Sequence, residues 1–290
     1  MAISTSLTQP GAPVRFWISV LARRHPLVLT GGGLLVFLIL AALLAPLYAG
    51  DPGRMDPFAR LQPPSSDHWL GADNLGRDVL VRTIYGARIS LMVGLASALV
   101  AALAGLMIGI VAGYVRAVDN LVMRFMDALM SIPTILLAIA LISLTGSGIG
   151  ILVFAIALPE IPGVTRLVRS IVLGVRERPY VEAAVCGGAR LPKILWRHVL
   201  PSTLSPLMVQ SAIVCGTAIL TEAGLSFLGI GVPPEIPSWG NMISSSRLYL
   251  SIAPLMLFAP GICLALTVLA VNLFGDGLRD LFDPRAKRRR

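Results

Sequence analysis

Few residues in this sequence have the types and spacing that catalysis requires. The nucleophile elbow G-x-S-x-G is absent, and so is the phosphate-binding loop G-x-x-x-x-G-K-[ST]. The potential metal ligands form neither an H-E-x-x-H pair nor a metal-type cysteine spacing: His25, His68, His198, Cys186, Cys215 and Cys263. We therefore predict no catalytic residue, no metal site and no cofactor in this chain.

What remains is the chemistry of polar and charged groups in apolar surroundings. Hydrophobic residues make up 56% of the 290-residue chain, charged residues only 13%, and the mean hydropathy is +0.81. In a soluble domain roughly a quarter of the residues are charged. The composition therefore indicates an integral membrane protein, in which ionisable groups at membrane depth are candidates for function.

Six apolar runs are long enough to cross a bilayer, for which a helix needs about 20 residues. Helix is expected because backbone polar groups in lipid must be paired within their own segment. We predict an all-α integral membrane protein with six transmembrane helices, near 27–49, 89–115, 121–144, 149–172, 203–222 and 252–275. Only TGSGIG separates the third span from the fourth, which predicts a tight hairpin.

The distribution of Lys and Arg predicts the orientation of the chain. With the N-terminus in the cytoplasm, 18 of the 24 basic residues lie inside, five lie outside and Arg88 lies at an interface. An inside excess is the usual topology signal, so both termini are expected in the cytoplasm. The net charge of +9 then indicates contact with anionic lipid headgroups, and no nucleic-acid partner is expected.

The domain organisation follows from these spans. We expect a cytoplasmic tail at 1–26, a first transmembrane helix at 27–49 that is not cleaved as a signal peptide, and an outer loop at 50–88. A five-helix core at 89–275 would include an outer loop at 223–251, where Trp239 could anchor at the membrane interface. A basic cytoplasmic tail is expected at 276–290.

One polar segment, RERPYVEAAVCGGARLPKILWRHVLP at 176–201, lies between the fourth and fifth spans on the cytoplasmic side. Pro179 suits the first turn of a helix, and Glu182 favours its positive end. Gly187 and Gly188 then interrupt the pattern, so we expect two short helices at an angle. The small residues leave room for the groove of another protein, although a connector resting on headgroups would have the same spacing.

This segment resembles the cytoplasmic signature of ABC importer permeases, in which Glu-Ala-Ala, three residues and Gly precede a Leu-Pro. The matching positions are Glu182, Ala183, Ala184, Gly188, Leu200 and Pro201, while His198 replaces the usual Ile. Four other stretches resemble the second permease subunit of dipeptide, oligopeptide and nickel importers: HWLGADNLGRDVLVRTIYGARISL, IPGVTRLVRS, EAGLSFLGIGVPPEIPSWGNM and NLFGDGLRDLFDPR. The resemblance spans residues 20–286 and implies the type I ABC importer permease fold.

The resemblance also implies partners and a mechanism. The chain would lie in the inner or plasma membrane of a bacterium or archaeon, paired with a homologous second permease as a heterodimer. One or two cytoplasmic ATP-binding subunits would hold ATP and Mg²⁺, and an extracytoplasmic substrate-binding protein would deliver the cargo. Residues 180–198 would be the coupling helix, with Glu182 as its anchor and Gly188 as its bend, so that ATP-driven closure rocks the spans between inward-open and outward-open states.

Polar residues in the fifth span are candidates for lining a translocation path: Gln210, Ser211, Thr217, Thr221 and Glu222. Such residues also pair between helices without transporting anything, and Glu222 could equally lie at the outer interface. Glu160, flanked by Pro159 and Pro162, could reach a hydrated cavity through a helix break.

In the second span, Gly105, Gly109 and Gly113 recur at intervals of four residues. This small-xxx-small face predicts close packing against another helix, whether static or sliding.

Two classes of function remain open. The first is the permease of an ATP-driven peptide importer, with nickel, glutathione or another small solute as alternative cargo. The second is a stand-alone channel or secondary carrier, which normally needs a coupling-ion site within paired repeats. No such repeat is evident in the sequence. Co-purification with ATPase subunits would distinguish the two classes.

Overall fold

The computed structural model describes residues 26–146 and 148–282, and nearly all of its regular structure is helical. The α-helices, numbered in chain order, are α1 (Pro26–Tyr48), α2 (Val79–Tyr114), α3 (Arg116–Met130), α4 (Thr134–Thr145), α5 (Ile149–Ala157), α6 (Ile161–Arg176), α7 (Pro179–Cys186), α8 (Leu191–Ile194), α9 (Leu200–Phe227), α10 (Trp239–Ser246) and α11 (Leu255–Phe282). Residues 1–25 of the expected N-terminal tail and 283–290 of the expected basic tail lie outside the described residues.

Within the described residues, five helical stretches are long and apolar enough to cross a membrane: Pro26–Tyr48, Val79–Tyr114, Ile149–Arg176, Leu191–Phe227 and Leu255–Leu281. A sixth span is obtained when α3 and α4, which are bent by 91° at a short break, count as one. The predicted all-helical membrane fold is therefore confirmed.

The third span differs from the continuous helix expected at 121–144. Pro133 lies in the break, and a proline both lacks the N–H for an α-helical bond and disfavours helical geometry at the residue before it. The helix on the N-terminal side of the break, α3, carries four charged residues in 15, so it is amphipathic rather than apolar throughout. Only α4, with 12 residues, is apolar along its whole length.

Other helices are longer than the sequence patterns predicted. Helix α2 begins at Val79 instead of near residue 89, because the Asp78 side chain caps it by accepting a hydrogen bond of 2.9 Å from the Val81 N–H. Helix α9 extends beyond 203–222 at both ends, and α11 continues to Phe282 through the first part of the expected tail.

The core is organised around α2, which packs against α6 and α9, while α11 packs against α1 and α9. Three glycines of α2 meet three buried valines of α6 at the same interval of four: Gly105 meets Val164, Gly109 meets Val168 and Gly113 meets Val172. A Cβ added at any of these glycines would lie only 2.6 to 2.7 Å from the Cβ of its valine. The predicted close packing of the glycine face is confirmed, with α6 as the partner helix.

Ion pairs hold the amphipathic helix α3 against α6. Arg169 Nη2 donates to Asp119 Oδ2 at 2.6 Å, and its Nε donates to the other carboxylate oxygen at 2.5 Å. A second pair, Arg166 Nη2 to Asp127 Oδ1 at 2.7 Å, lies closer to solvent. Two-pronged Arg–carboxylate bonds fix geometry as well as charge, so α3 and α6 have a defined relative position.

Side-chain hydrogen bonds hold the loop between α1 and α2 in a defined conformation. Asp73 accepts hydrogen bonds from the backbone N–H groups of Leu75 (2.8 Å) and Arg77 (2.9 Å) and from Arg77 Nε (2.6 Å). His68 Nδ1 lies 2.9 Å from the carboxylate of Asp78, the cap of α2. These polar groups attach the α1–α2 loop to the start of α2.

The contact between α2 and α6 gives a prediction about stability. Gly109→Leu should lower the melting temperature of the purified protein and reduce its amount in membranes, because overpacking a tight contact typically costs 1–3 kcal/mol. The matched control is Gly174→Ala in α6, where an added Cβ meets nothing within 4 Å. Equal melting temperatures for the two variants would contradict the close contact.

Candidate functional site

The predicted coupling residues begin in α7, a helix of eight residues on the polar connection after α6. Arg178 precedes it in an extended conformation (φ −82°, ψ 138°), and Pro179 occupies the first turn as predicted. Glu182 lies in the same turn, where its carboxylate favours the positive end of the helix.

A glycine cap ends α7. Gly188 has a φ of +76°, in the left-handed region that favours glycine. Its N–H donates to the carbonyl of Val185 (2.9 Å), and the Ala189 N–H donates to the carbonyl of Ala184 (3.0 Å). These two bonds form a Schellman motif, so the chain turns sharply and reproducibly at the predicted bend.

The α7 helix touches the rest of the protein mainly through one side chain. Val181 is 1% exposed, whereas Tyr180 is 49% and Val185 is 53% exposed. Glu182 and Ala183 are also exposed, and Ala184 is partly buried. The outer side of α7 is therefore an open surface of small, apolar and acidic residues, which we call the α7 surface.

The second half of the polar segment differs from expectation, because it is not a separate short helix. Helix α8 continues through a π-helical turn, Leu195–Val199, directly into α9. Pro201 has no N–H, so it cannot donate the usual hydrogen bond to the carbonyl four residues earlier. Just before it, the Leu200 N–H donates to the carbonyl of Leu195, five residues earlier, which is the π-helical pattern. Leu200 and Pro201 thus form the first turn of α9.

Two contacts join the polar segment to neighbouring helices, one made by α7 itself and one by the last residue of α6. The rings of Tyr180 and His198 lie 5.7 Å apart, which joins α7 to the π turn. At the base of the segment, Arg176 Nη1 donates to the backbone carbonyl of Tyr114 at 3.2 Å and its guanidinium lies over the Tyr114 ring. The polar segment is therefore in contact with the π turn before α9 and, at its base, with the end of α2.

Three of the predicted pathway residues share one face of α9. Gln210, Thr217 and Thr221 are seven and four residues apart, and all three are at least partly exposed. Thr221 donates to the carbonyl of Thr217 at 2.9 Å, and Ser211, on a neighbouring face, donates to the carbonyl of Leu207 at 2.7 Å. We call the first three residues the polar face of α9.

Glu222, the fifth predicted pathway residue, lies elsewhere. It is fully buried, and its carboxylate accepts hydrogen bonds from Ser226 Oγ (2.8 Å) on α9 and Ser90 Oγ (3.1 Å) on α2. Ser90 Oγ lies 3.4 Å from the backbone nitrogen of Trp239 on α10. In this conformation Glu222 joins three helices and does not line an open surface.

Trp239 is likewise not the interface anchor that its sequence context suggested. Its side chain is fully buried against Gly86, and Nε1 donates to the carbonyl of Thr83 at 2.9 Å. Because the only hydrogen-bond donor of the Trp239 indole is paired inside the protein, the side chain does not need a partner in the headgroup region.

Glu160 lies close to the polar face of α9. The two flanking prolines produce a 3-10 turn, Leu158–Glu160, between α5 and α6 without interrupting the span. Glu160 Oε1 lies 3.4 Å from Thr217 Oγ1. The helix break expected from the prolines is therefore a local change of hydrogen bonding.

The sequence singled out Glu160 and Thr217 separately but could not show that they meet, because they are 57 positions apart. The ion pairs of Arg166 and Arg169 and the role of Ser90 were also missed. Arg166 and Arg169 lie three residues apart on α6 and pair with two acids of α3. This spacing of basic residues was the available sequence signal for the ion pairs.

Two family models match the chain. One is described as the binding-protein-dependent transport system inner membrane component and matches residues 105–288. The other is described as the N-terminal transmembrane domain of oligopeptide transport permease C and matches residues 21–64.

Individual proteins agree with these models. A probable peptide ABC transporter permease of Sinorhizobium fredii is 70% identical over the whole of both chains. A glutathione transport system permease of Pectobacterium atrosepticum is 42% identical, covering 94% of this chain and 91% of its own. A chain in an inward-facing structure of the MetNI methionine ABC transporter has a TM-score of 0.58 and 19% identity, covering 70% of this chain and 98% of its own, so the two share a fold.

The buried Glu222 cluster gives a prediction about stability. Glu222→Leu should lower the melting temperature of the purified protein, because the hydroxyls of Ser90 and Ser226 would lose their acceptor at a cost of about 1–3 kcal/mol. Glu222→Gln should have a smaller effect, since its amide oxygen still accepts. The exposed Glu235 provides the control, Glu235→Gln, and an equal effect of Glu222→Leu and this control would refute the structural role.

Proposed function

Because the chain belongs to the family of binding-protein-dependent transport system inner membrane components, we propose that it is one of two permease subunits of an ATP-driven importer of short peptides. At the level of the family it is a transport component of a bacterial inner membrane and has the type I ABC importer permease fold. The observation that carries the proposal is the α7 surface, an exposed helix at the position of the permease signature.

In this proposal the energy comes from other subunits. One or two cytoplasmic ATP-binding subunits hold ATP and Mg²⁺ and receive the α7 surface in a groove. The exposed Ala183 and the partly buried Ala184 allow close approach, and Glu182 offers one charge for an ion pair at the rim. The absence of a phosphate-binding loop from the sequence supports this division of labour.

The movement driven by the ATP-binding subunits is transmitted from α7 to the translocation path through helices. Movement of α7 passes through the Schellman turn to α8 and α9, and through Arg176 to α2. A homologous second permease forms the other half of the path, so that rocking of the two halves opens the polar face of α9 to one side and then to the other. Gln210, Thr217 and Thr221 line this path, with Ser211 beside them.

Short peptides are the proposed cargo. The 70% identical relative is named for peptides, and the second family model for oligopeptides. A relative named for glutathione, itself a small peptide, is consistent with this chemical class. An extracytoplasmic binding protein delivers the cargo to the outer surface formed by the ordered α1–α2 loop and the segment around α10.

The first test concerns coupling. Gly188→Val should leave the permease in the membrane but uncouple peptide uptake from ATP hydrolysis, because a β-branched residue is strained at a φ of +76°. Glu182→Lys should weaken binding of the ATP-binding subunits. Uptake and hydrolysis are measured in proteoliposomes that contain the purified importer, and a loss of uptake of about tenfold or more is expected for Gly188→Val.

The control for coupling is Gly188→Asn. Asn tolerates the left-handed conformation better than other residues, so this variant should retain most of the uptake. Normal coupled uptake by both Gly188→Val and Glu182→Lys would overturn the assignment of α7.

The second test concerns orientation. We propose that both termini are cytoplasmic, and therefore that α7 is cytoplasmic and the α1–α2 loop is outside. In intact cells a membrane-impermeant thiol reagent should label Ser65→Cys but should reach the native, exposed Cys186 only after permeabilisation. Labelling of Cys186 in intact cells would invert the topology.

A further inference from the structure

Glu160 is an acid near the middle of a helix that is long and apolar enough to span a membrane. It lies within the span Ile149–Arg176, about 16 Å from one end and about 24 Å from the other at 1.5 Å per residue. Thr217 has a similar depth in α9, about 15 Å from the end at Phe227. A carboxylate at this depth is costly unless it is hydrated or paired.

The chain itself gives Glu160 little compensation. Among the described residues no Lys, Arg or His side chain lies within 4.0 Å of its carboxylate. Its one hydrogen-bond partner there is the Thr217 hydroxyl, at a long distance of 3.4 Å. That hydroxyl has a single proton and also lies 3.0 Å from the carbonyl of Val214, so the carboxylate has unused acceptor capacity.

Glu222 provides the contrast within the same protein. Its carboxylate is fully buried and receives shorter bonds from Ser226 and Ser90. Glu160 is only partly buried, and the neighbouring Thr217 is exposed. The Glu222 carboxylate thus has hydrogen-bond partners within the fold, whereas the Glu160 carboxylate is partly exposed and has unused acceptor capacity.

The surface around Glu160 includes a polar strip beside exposed apolar residues such as Ile213 and Leu220. Thr217 and Thr221 continue the polar face of α9 on one side of the carboxylate, and Gln210 lies two turns away on the same face. Acyl chains offer no hydrogen bonds, so a charged and polar strip at midplane must face either water or another protein chain.

We propose that Glu160 and Thr217 form a subsite for an ammonium group of the cargo within the translocation path. An ammonium has three donors and no acceptor, which complements two carboxylate oxygens and a hydroxyl oxygen. Peptides carry this group at the N-terminus and on lysine. A fixed negative charge at midplane also offsets the cost of bringing a cation into a region of low dielectric constant. This inference rests on the function proposed above.

The test compares two peptides that differ in one charge, trialanine and N-acetyl-trialanine. Proteoliposomes contain the complete importer with its binding protein, whose affinity for each peptide is measured separately. Glu160→Gln should lower uptake of trialanine about tenfold, as expected for loss of a charge-assisted hydrogen bond, and should leave uptake of the acetylated peptide unchanged. An equal loss for both peptides, or no loss for either, would overturn the proposal.

A second pair of variants gives an answer even when the acetylated peptide is not carried. Glu160→Asp keeps the charge and should retain trialanine uptake within about threefold, whereas Glu160→Gln keeps the shape and should lose it. The reverse order would show that shape and not charge matters, and would refute the subsite. Asp280→Asn, an exposed loss of one charge on α11, is the control and should behave as wild type.

Two further outcomes separate this proposal from others. If Glu160→Gln no longer co-purifies with the second permease, Glu160 pairs with a basic residue of that chain and the subsite is wrong. If the wild-type importer takes up no peptide, the proposed function itself fails. A working importer in which Glu160→Gln matches wild type would refute the subsite alone.

Discussion

The pairing of backbone hydrogen bonds in a bilayer is the constraint on which this structure depends. Lipid offers no substitute partner, so backbone groups left unpaired at an irregular place in a span need another partner within the protein. Pro133 lies in the break of the 91° bend, Pro159 lies in a 3-10 turn that Pro162 follows, and Pro201 follows a π turn. Two of these three irregular places coincide with the residues for which we propose functions, namely Glu160 in the path and the coupling segment before α9. Proline alone does not identify such places, because Pro46, Pro206 and Pro260 lie inside continuous helices.

The residue patterns predicted the regular parts of the fold better than the irregular ones. Long apolar runs identified the membrane helices, and the four-residue spacing of Gly105, Gly109 and Gly113 identified a packing face, because both signals are local. The apolar pattern did not predict the bend at Pro133, because a hydropathy profile contains no information about the direction of a helix. It also placed the start of α2 too late, because the cap by Asp78 depends on a polar loop outside the apolar run.

In the candidate site, too, features set by neighbouring residues could be predicted, whereas contacts between distant positions could not. The helix start at Pro179 and the bend at Gly188 were readable, because proline and glycine act on their own backbone. Ser90 and Glu222 are 132 positions apart, and no local pattern could show that one binds the other. For that reason the sequence places Glu222 among the pathway residues, whereas its surroundings make it a link between α2, α9 and α10.

The unbroken connection of α8 to α9 has a mechanical consequence. Leu191–Phe227 is one rod of 37 residues, about 55 Å long. It lies tightly against α2 where Ile219 meets Gly94, which is about 42 Å from one end and about 12 Å from the other. The close contact thus lies nearer to the Phe227 end than to the end that follows α7. Because no loop interrupts the rod, its two ends cannot change direction independently unless the helix itself bends.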